Sequence, residues 1–240
     1  MTIRAVFFDF MGTCLDWHAS VVAALPATVA DNQRSMFALW WRQNFFSRIS
    51  ARHSTGGAPE DTDTTFYQSC LTTIAQPEFG DLVQAIRPSI HPNSALIKAW
   101  HHMPAWPDVP PRLQALRNAG LELFVLANGT TRLQLDLVRA AGLQGMYDML
   151  FSSQLLGVYK PSPEAYLKAL DLVGCKAEEA VMVACHAYDL RAAREVGMRT
   201  VYVRRWTDDV DEDMDAVKRE NEGLFLENGF ADLLATIEQC

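Results

Sequence analysis

Long apolar runs are the first thing this chain lacks. None reaches the roughly 18 consecutive apolar residues of a membrane-spanning helix. Its first residues show neither the charged nor the apolar region of a signal peptide, so a cytoplasmic protein without a membrane partner is expected. Positive charge is scarce too: 21 Lys and Arg stand against 29 Asp and Glu, a formal net charge of −8. A surface of that sign repels phosphate backbones, which argues against nucleic acid as the partner. Cysteine is sparse and odd in number, five in all, with no two spaced as Cys-x-x-Cys, so neither a disulfide framework nor a zinc site is expected. No internal repeat is visible. What remains is 240 residues, about half of them apolar, enough for one large domain or for a core carrying an insertion.

Ala5-Val6-Phe7-Phe8 is a short apolar run closed by Asp9-Phe10-Met11-Gly12, the pattern of a buried parallel strand ending in a glycine turn. The next stretch reads as helical: Trp17 to Val29, Gln33 to Ile49, Thr62 to Ala75 and Phe79 to Ile86. Trp100 to Pro111, with four prolines, reads as a hinge-like return. Strands and helices then alternate. Strands are expected at Leu121 to Leu126, Met149 to Ser152, Ala180 to Ala184 and Arg199 to Val203. Helices are expected at Leu133 to Ala141, Pro163 to Val173, Leu190 to Val196 and Gly229 to Glu238. Such alternation predicts an α/β fold with a doubly wound parallel sheet. The helical block after the first strand is far longer than a crossover requires. It predicts an inserted helical cap over residues 16–96, with residues 1–15 and 97–240 forming the core.

Chemistry should gather where strands end, because open parallel sheets place their ligand crevice at the carboxyl edge. Asp9 follows the first strand, Asn128-Gly129-Thr130 the second, and Asp189 lies just past the fourth; Lys160 follows a short strand. A carboxylate at Asp9 can act as a covalent nucleophile. The acidic run Asp208, Asp209, Asp211, Glu212 and Asp213 reads as a solvated loop or helix start. Trp40, Trp41, Phe45 and Phe46 read as cap core, and Cys14 as a small packing residue.

Five pieces occur in order: Phe8-Asp9-Phe10-Met11-Gly12-Thr13, Trp41-Arg42-Gln43, Asn128-Gly129, Tyr159-Lys160-Pro161 with Tyr166, and Ala187-Tyr188-Asp189. Together they resemble the haloacid dehalogenase superfamily over nearly the whole chain, and within it the L-2-haloacid dehalogenases of type II. The resemblance implies displacement at a saturated carbon by Asp9, followed by hydrolysis of the resulting ester. It implies that Lys160 keeps Asp9 ionised, that Arg42 receives the leaving group with help from Asn128, and that Thr13, Tyr166 and Asp189 orient nucleophile, substrate and water. Phosphatases of the superfamily carry a second aspartate where this chain has Met11, and a Mg²⁺-binding acid where it has Cys185. A thioether has no proton to give and a thiol is a poor Mg²⁺ ligand, so neither metal nor cofactor is expected.

The chain also departs from the dehalogenases. Ala127, Ala184 and His186 replace a serine, a serine and an asparagine of the family pattern. His186 brings a group that titrates near neutrality, a candidate acid or base. Three functions follow as expectations on a small-molecule substrate, with a homodimer possible as in the family. The first is a metal-independent hydrolase with Asp9 as nucleophile and Lys160, Asp189 and His186 as further catalytic residues; Thr13, Met11, Arg42, Asn128 and Tyr166 would contact substrate. The second is an isomerase or cyclase on an epoxide or similar electrophile in small-molecule biosynthesis. The third is a non-catalytic binding protein.

Overall fold

The computed structural model describes residues 2–240. Its centre is β1, Ala5–Phe8, buried at all four positions. Side chains alternate along a strand, so Val6 and Phe8 enter one core and Ala5 and Phe7 another, one on each face of the sheet. A strand buried on both faces belongs inside a parallel sheet. The others are β2 (Glu122–Ala127), β3 (Met149–Ser152), β4 (Ala180–Ala184), β5 (Arg199–Val203) and the short β6 (Phe225–Leu226). They pair in the order β3-β2-β1-β4-β5-β6, all parallel. Winding reverses between β1 and β4. Such a switch point opens a crevice at the carboxyl edge, and there Asp9 and His186 emerge side by side.

Between β1 and β2 lie α1 (Trp17–Ala24), α2 (Asp31–Ser54), α3 (Thr62–Ile74), α4 (Gly80–Ile86), α5 (Ala95–Lys98) and α6 (Val109–Asn118). Among the described residues no strand falls in 17–92. The helices pack through aromatics: Trp100 stacks on Phe66 with ring centres 4.4 Å apart, and Phe66 on Phe45 at 4.7 Å. Trp41 and Phe45 are buried here as expected of core. After β2 come α7 (Thr131–Ala140), α8 (Ser153–Leu156), α9 (Pro163–Leu172), α10 (Ala187–Glu195), α11 (Met214–Glu220) and α12 (Leu233–Ile237). None of the described helices is long and apolar enough to cross a membrane.

Several boundaries differ from expectation for local reasons. α1 stops at Ala24, not Val29, because Pro26 forces Leu25 into an extended conformation. The hinge expected to reach Pro111 ends earlier: Pro110 and Pro111 lie in the first turn of α6, where a missing N–H costs nothing. α10 begins at Ala187 rather than Leu190, which puts Asp189 inside its first turn. α2 runs on to Ser54, α12 is shorter than expected, the acidic run ends in Asp213 as the cap that starts α11, and β6 was not expected.

Candidate active site

Asp9 leaves β1 with its backbone N–H on the Val183 carbonyl, 3.0 Å away, and its side chain turned into the crevice edge. The two carboxylate oxygens are treated unequally. Oδ1 accepts from Lys160 Nζ at 3.0 Å. Oδ2 accepts from the Thr13 hydroxyl at 2.8 Å and faces His186 Nδ1 at 3.1 Å. Thr13 itself accepts the Cys185 N–H at 3.0 Å, which leaves its proton for Asp9. Burial alone would raise the Asp9 pKa, but Lys160 and His186 outweigh it and hold the carboxyl well below its ordinary value.

Lys160 arrives from the loop that follows α8, and Asn128 fastens that loop. The Asn128 amide donates to the Lys160 carbonyl at 2.9 Å and accepts the Lys160 N–H at 2.8 Å. The ammonium bridges Asp9 and Asp189, and Asp189 also accepts the Tyr166 hydroxyl at 2.5 Å. Burial opposes charge on Lys160, yet the two carboxylates raise its pKa above the usual lysine value. For Asp189, burial and the charge of Asp9 push the pKa upward against the pull of Lys160.

On the other side of Asp9 the structure corrects the reading of the acidic run. Asp208 is not solvated: its side chain is buried, and Oδ1 faces His186 Nε2 at 3.0 Å. Its Oδ2 accepts from Trp17 Nε1 at 3.0 Å and from the Thr207 hydroxyl at 2.7 Å. Arg42, halfway along α2, lies 3.5 Å from Asp208 and donates to the Met11 carbonyl at 3.0 Å. Its guanidinium covers the Phe46 ring at 4.3 Å. Burial disfavours charge on His186, but the neighbouring Cys185, then Asp9 and Asp208, raise its pKa well above the ordinary imidazole value. Hydrogen bonding to His186 helps hold Asp208 below the usual carboxylate range against the effect of burial.

Six charged side chains thus alternate in sign: Asp189, Lys160, Asp9, His186, Asp208, Arg42. Three acids and three bases cancel when His186 is protonated. Alternation matters because a buried charge is tolerable only beside an opposite one. Asp208 reaches its place by two devices. Asp209 adopts φ +52°, and its carboxylate holds the Ala187 N–H at 2.7 Å, pinning the loop after β5 to the start of α10. Gly12, at φ +94°, leaves the space Asp208 fills; a Cβ there would stand 2.5 Å from the Asp208 carboxylate.

A small chamber of about 20 Å³ is lined by Asp9, Met11, Arg42, Ala127, Asn128, Lys160, His186 and Tyr188, with Phe45, Phe46 and Ile49. A larger cleft of about 730 Å³ shares Arg42, Asn128, Lys160 and His186 and extends between Trp40 on α2 and residues 207–212. Trp40 and Phe46, expected in the cap core, therefore line the cleft. Thr13, Tyr166 and Asp189 line neither space. Thr13 bonds to the Asp9 carboxylate and Tyr166 to that of Asp189. Arg42 Nε and Nη1 are buried with no partner in the protein, two donors that await an acceptor.

Asp9, Cys185 and His186 carry donor atoms within 4.8 Å of one another. They do not fit the Mg²⁺ of superfamily phosphatases, which prefers oxygen ligands. Burial pushes the Cys185 thiol up to about 11, so it stays protonated. Both nitrogens of His186 and both oxygens of Asp9 already have partners, and Lys160 supplies the positive charge a cation would bring.

Comparison with known proteins shows the family. A family profile described as haloacid dehalogenase-like hydrolase matches residues 3–197. (S)-2-haloacid dehalogenase 1 of Pseudomonas sp. (strain CBS-3) is 30% identical over 209 residues, covering 85% of each chain. (S)-2-haloacid dehalogenase 4A of Burkholderia cepacia is 27% identical, covering 85% of this chain and 84% of its own. A crystal structure of an L-2-haloacid dehalogenase superposes with a TM-score of 0.73 at 27% identity, over 99% of this chain and 100% of that one.

Proposed function

Because the chain belongs to the haloacid dehalogenase-like hydrolase family and is a hydrolase, we propose that it displaces a leaving group from carbon, with Asp9 as nucleophile and no metal ion. We place the catalytic core in residues 1–15 and 97–240, with residues 16–96 as the cap that carries Arg42 over it. The observation that carries this reading is the asymmetric Asp9 carboxylate: ionised, held by Lys160, and with Oδ1 bearing only one donor. The less saturated oxygen keeps a lone pair for attack. Oδ1 bonds to the substrate carbon as the carbon's bond to the leaving group breaks, and the departing atom takes that electron pair. Arg42 Nε and Nη1, without protein partners, can receive the resulting anion. Water then attacks Cγ of the ester, and the product alcohol leaves with the oxygen that was Oδ1.

The relatives' names make 2-haloacids the first substrates to try. Ala127 lacks a hydroxyl to hold a carboxylate, and the cleft of about 730 Å³ is roomier than a small haloacid needs. Both favour a larger and less polar substrate. The cyclase reading would use Asp9 and His186, 3.1 Å apart, as acid and base with no net hydrolysis. The dehalogenase relatives favour the hydrolase.

A single turnover of (S)-2-chloropropionate in ¹⁸O-water tests the proposal. Label should enter the Asp9 peptide and not the first equivalent of product. Asp9→Asn should abolish turnover, and excess chelator should leave the rate unchanged. Label appearing directly in product, or loss of activity in EDTA with rescue by Mg²⁺, would overturn the reading.

A further inference from the structure

The unequal surroundings of the two Asp9 oxygens bear on the second half of the reaction. Once Oδ1 is esterified, Oδ2 becomes the carbonyl oxygen. Water adding to Cγ moves the carbonyl electron pair onto Oδ2, and two donors already stand there, Thr13 at 2.8 Å and His186 at 3.1 Å. Donors aimed at the atom where charge will develop, at about 3 Å, are the arrangement that stabilises a tetrahedral intermediate.

His186 can donate there only in one protonation state. Its ring lies between two carboxylates, Nδ1 on Asp9 and Nε2 on Asp208. An ionised carboxylate only accepts, and a neutral imidazole has a single N–H. Both contacts are hydrogen bonds only if the ring is the imidazolium. Also near the ring are the Cys185 thiol, the Tyr188 ring at 5.7 Å, the Phe46 ring at 5.2 Å and, close enough to feel its charge, the Asp209 carboxylate. The thiol and the Tyr188 hydroxyl are neutral, since burial pushes them up to about 11 and about 12. Asp208 is thus the partner that fixes the ring from behind, itself fixed by Trp17, Thr207 and the absent side chain of Gly12.

We propose that Thr13 and His186 form the oxyanion site for hydrolysis of the aspartyl ester, and that Asp208 is the positioning residue that keeps His186 doubly protonated with Nδ1–H on Asp9. The proposal rests on Asp9 being the nucleophile. As the intermediate collapses, the electron pair on Oδ2 re-forms the carbonyl and the Cγ–Oδ1 bond breaks. The departing alkoxide takes a proton from the Lys160 ammonium that sits on Oδ1. Of the two protons of the attacking water, one restores Lys160 and the other leaves to solvent, so Asp9 returns as a carboxylate carrying one oxygen from water.

Bromoacetate serves as the probe, because bromide release reports the first step and carboxymethyl on Asp9 reports the intermediate. In Asp208→Asn, ester hydrolysis should slow by about tenfold to a hundredfold relative to bromide release in the same protein, a ratio that removes any effect on Arg42 of losing its partner, since losing a whole oxyanion donor costs about 10²–10³. Intact mass should then show one carboxymethyl group accumulating on the variant and not on the wild type. A merely structural role would slow both steps together. Ester hydrolysis at the wild-type rate in Asp208→Asn overturns the proposal alone. Bromide release without carboxymethyl on Asp9 in any protein overturns the nucleophile as well. The ¹⁵N shifts of the His186 ring decide the matter without turnover: the wild-type ring should be an imidazolium at pH 8, and a neutral ring there overturns the proposal whatever the kinetics.

Discussion

Replacing Lys160 by methionine removes the cation between two buried carboxylates while roughly keeping its volume. Lys160 is 2% exposed and bonds to Asp9 at 3.0 Å and to Asp189. Removing one partner of a buried pair costs about 3–5 kcal/mol, because the remaining charge stays buried and unpaired. That is a large part of the total of about 5–15 kcal/mol typical of a domain. The loss must depend on pH. In the wild type the Asp9 pKa is depressed, so its stabilisation is present above the unfolded-state value of 3.8 and fades only as the pH falls through the folded one. In the variant Asp9 keeps His186 at 3.1 Å, but Asp189 loses the cation that pulled its pKa down, and its folded-state pKa, already above the unfolded value, rises further. The variant's deficit is therefore full at neutral pH and shrinks toward pH 5 as one carboxyl takes up a proton. Urea unfolding at pH 7.5 should show a midpoint lower by about 1–2 M, taking a slope of about 2–3 kcal/mol/M, and the gap should narrow at pH 5. A variant as stable as the wild type at pH 7.5, or a gap that ignores pH, would refute the pairing as described.

Two further perturbations probe the same fold. Gly12→Ala combines a left-handed backbone with a Cβ 2.5 Å from the Asp208 carboxylate; about 3–5 kcal/mol should be lost in thermal or chemical unfolding, and a loss under 1 kcal/mol would mean that Asp208 is free to move. His101 joins Asp63 on α3 at 2.7 Å to Asp136 on α7 at 3.1 Å, and its bond to Asp63 leads the causes that raise its pKa. A raised histidine stabilises fully below its unfolded value of 6.5 and loses that contribution as the pH rises through the folded pKa, so His101→Gln should trail the wild type more at pH 5.5 than at pH 9; a gap of constant size would show that the charge of His101 plays no part.

Much of this was legible in the chain, and the exceptions share a cause. Ala180–Ala184 read correctly as a strand because burial on both faces demands an unbroken apolar run, and Met149–Ser152 and Arg199–Val203, exposed at their first residues, because strands and helices alternate around them. Asp9, Lys160 and Arg42 could be picked out because each stands in a motif with its own neighbours. Asp208 stood among five acids within six residues, and composition alone reads such a run as solvated. What turns it inward is not local: a glycine near residue 12, an indole from α1 and an imidazole after β4 converge on it. A usable signal was present all the same, since Asp208 lies five residues past the end of β5, at the same carboxyl edge as Asp9. The prolines misled in the opposite direction. Pro110 and Pro111 read as a hinge, although a first turn accepts them without loss.

The alternating charges also explain why a histidine can stand where the dehalogenase pattern has a neutral asparagine. A protonated ring beside Asp9 would leave an uncompensated buried charge if nothing stood behind it, a cost of several kcal/mol. Asp208 removes that cost, and Arg42 in turn neutralises Asp208, since it lies 3.5 Å away. Asn for His at 186 without a change at 208 would strand the Asp208 carboxylate between Arg42 and an amide. His186 and Asp208 therefore form one substitution in physical terms, and Gly12 is the condition for it, because any side chain there would exclude the carboxylate. The consequence is a test by pairs. His186→Asn with Asp208→Asn should be less destabilising than the sum of the two single changes, since each single change leaves behind a charge that the double change removes. Additive losses would mean that the two residues do not share a proton-bearing bond, and the account of the imidazolium would fall with them.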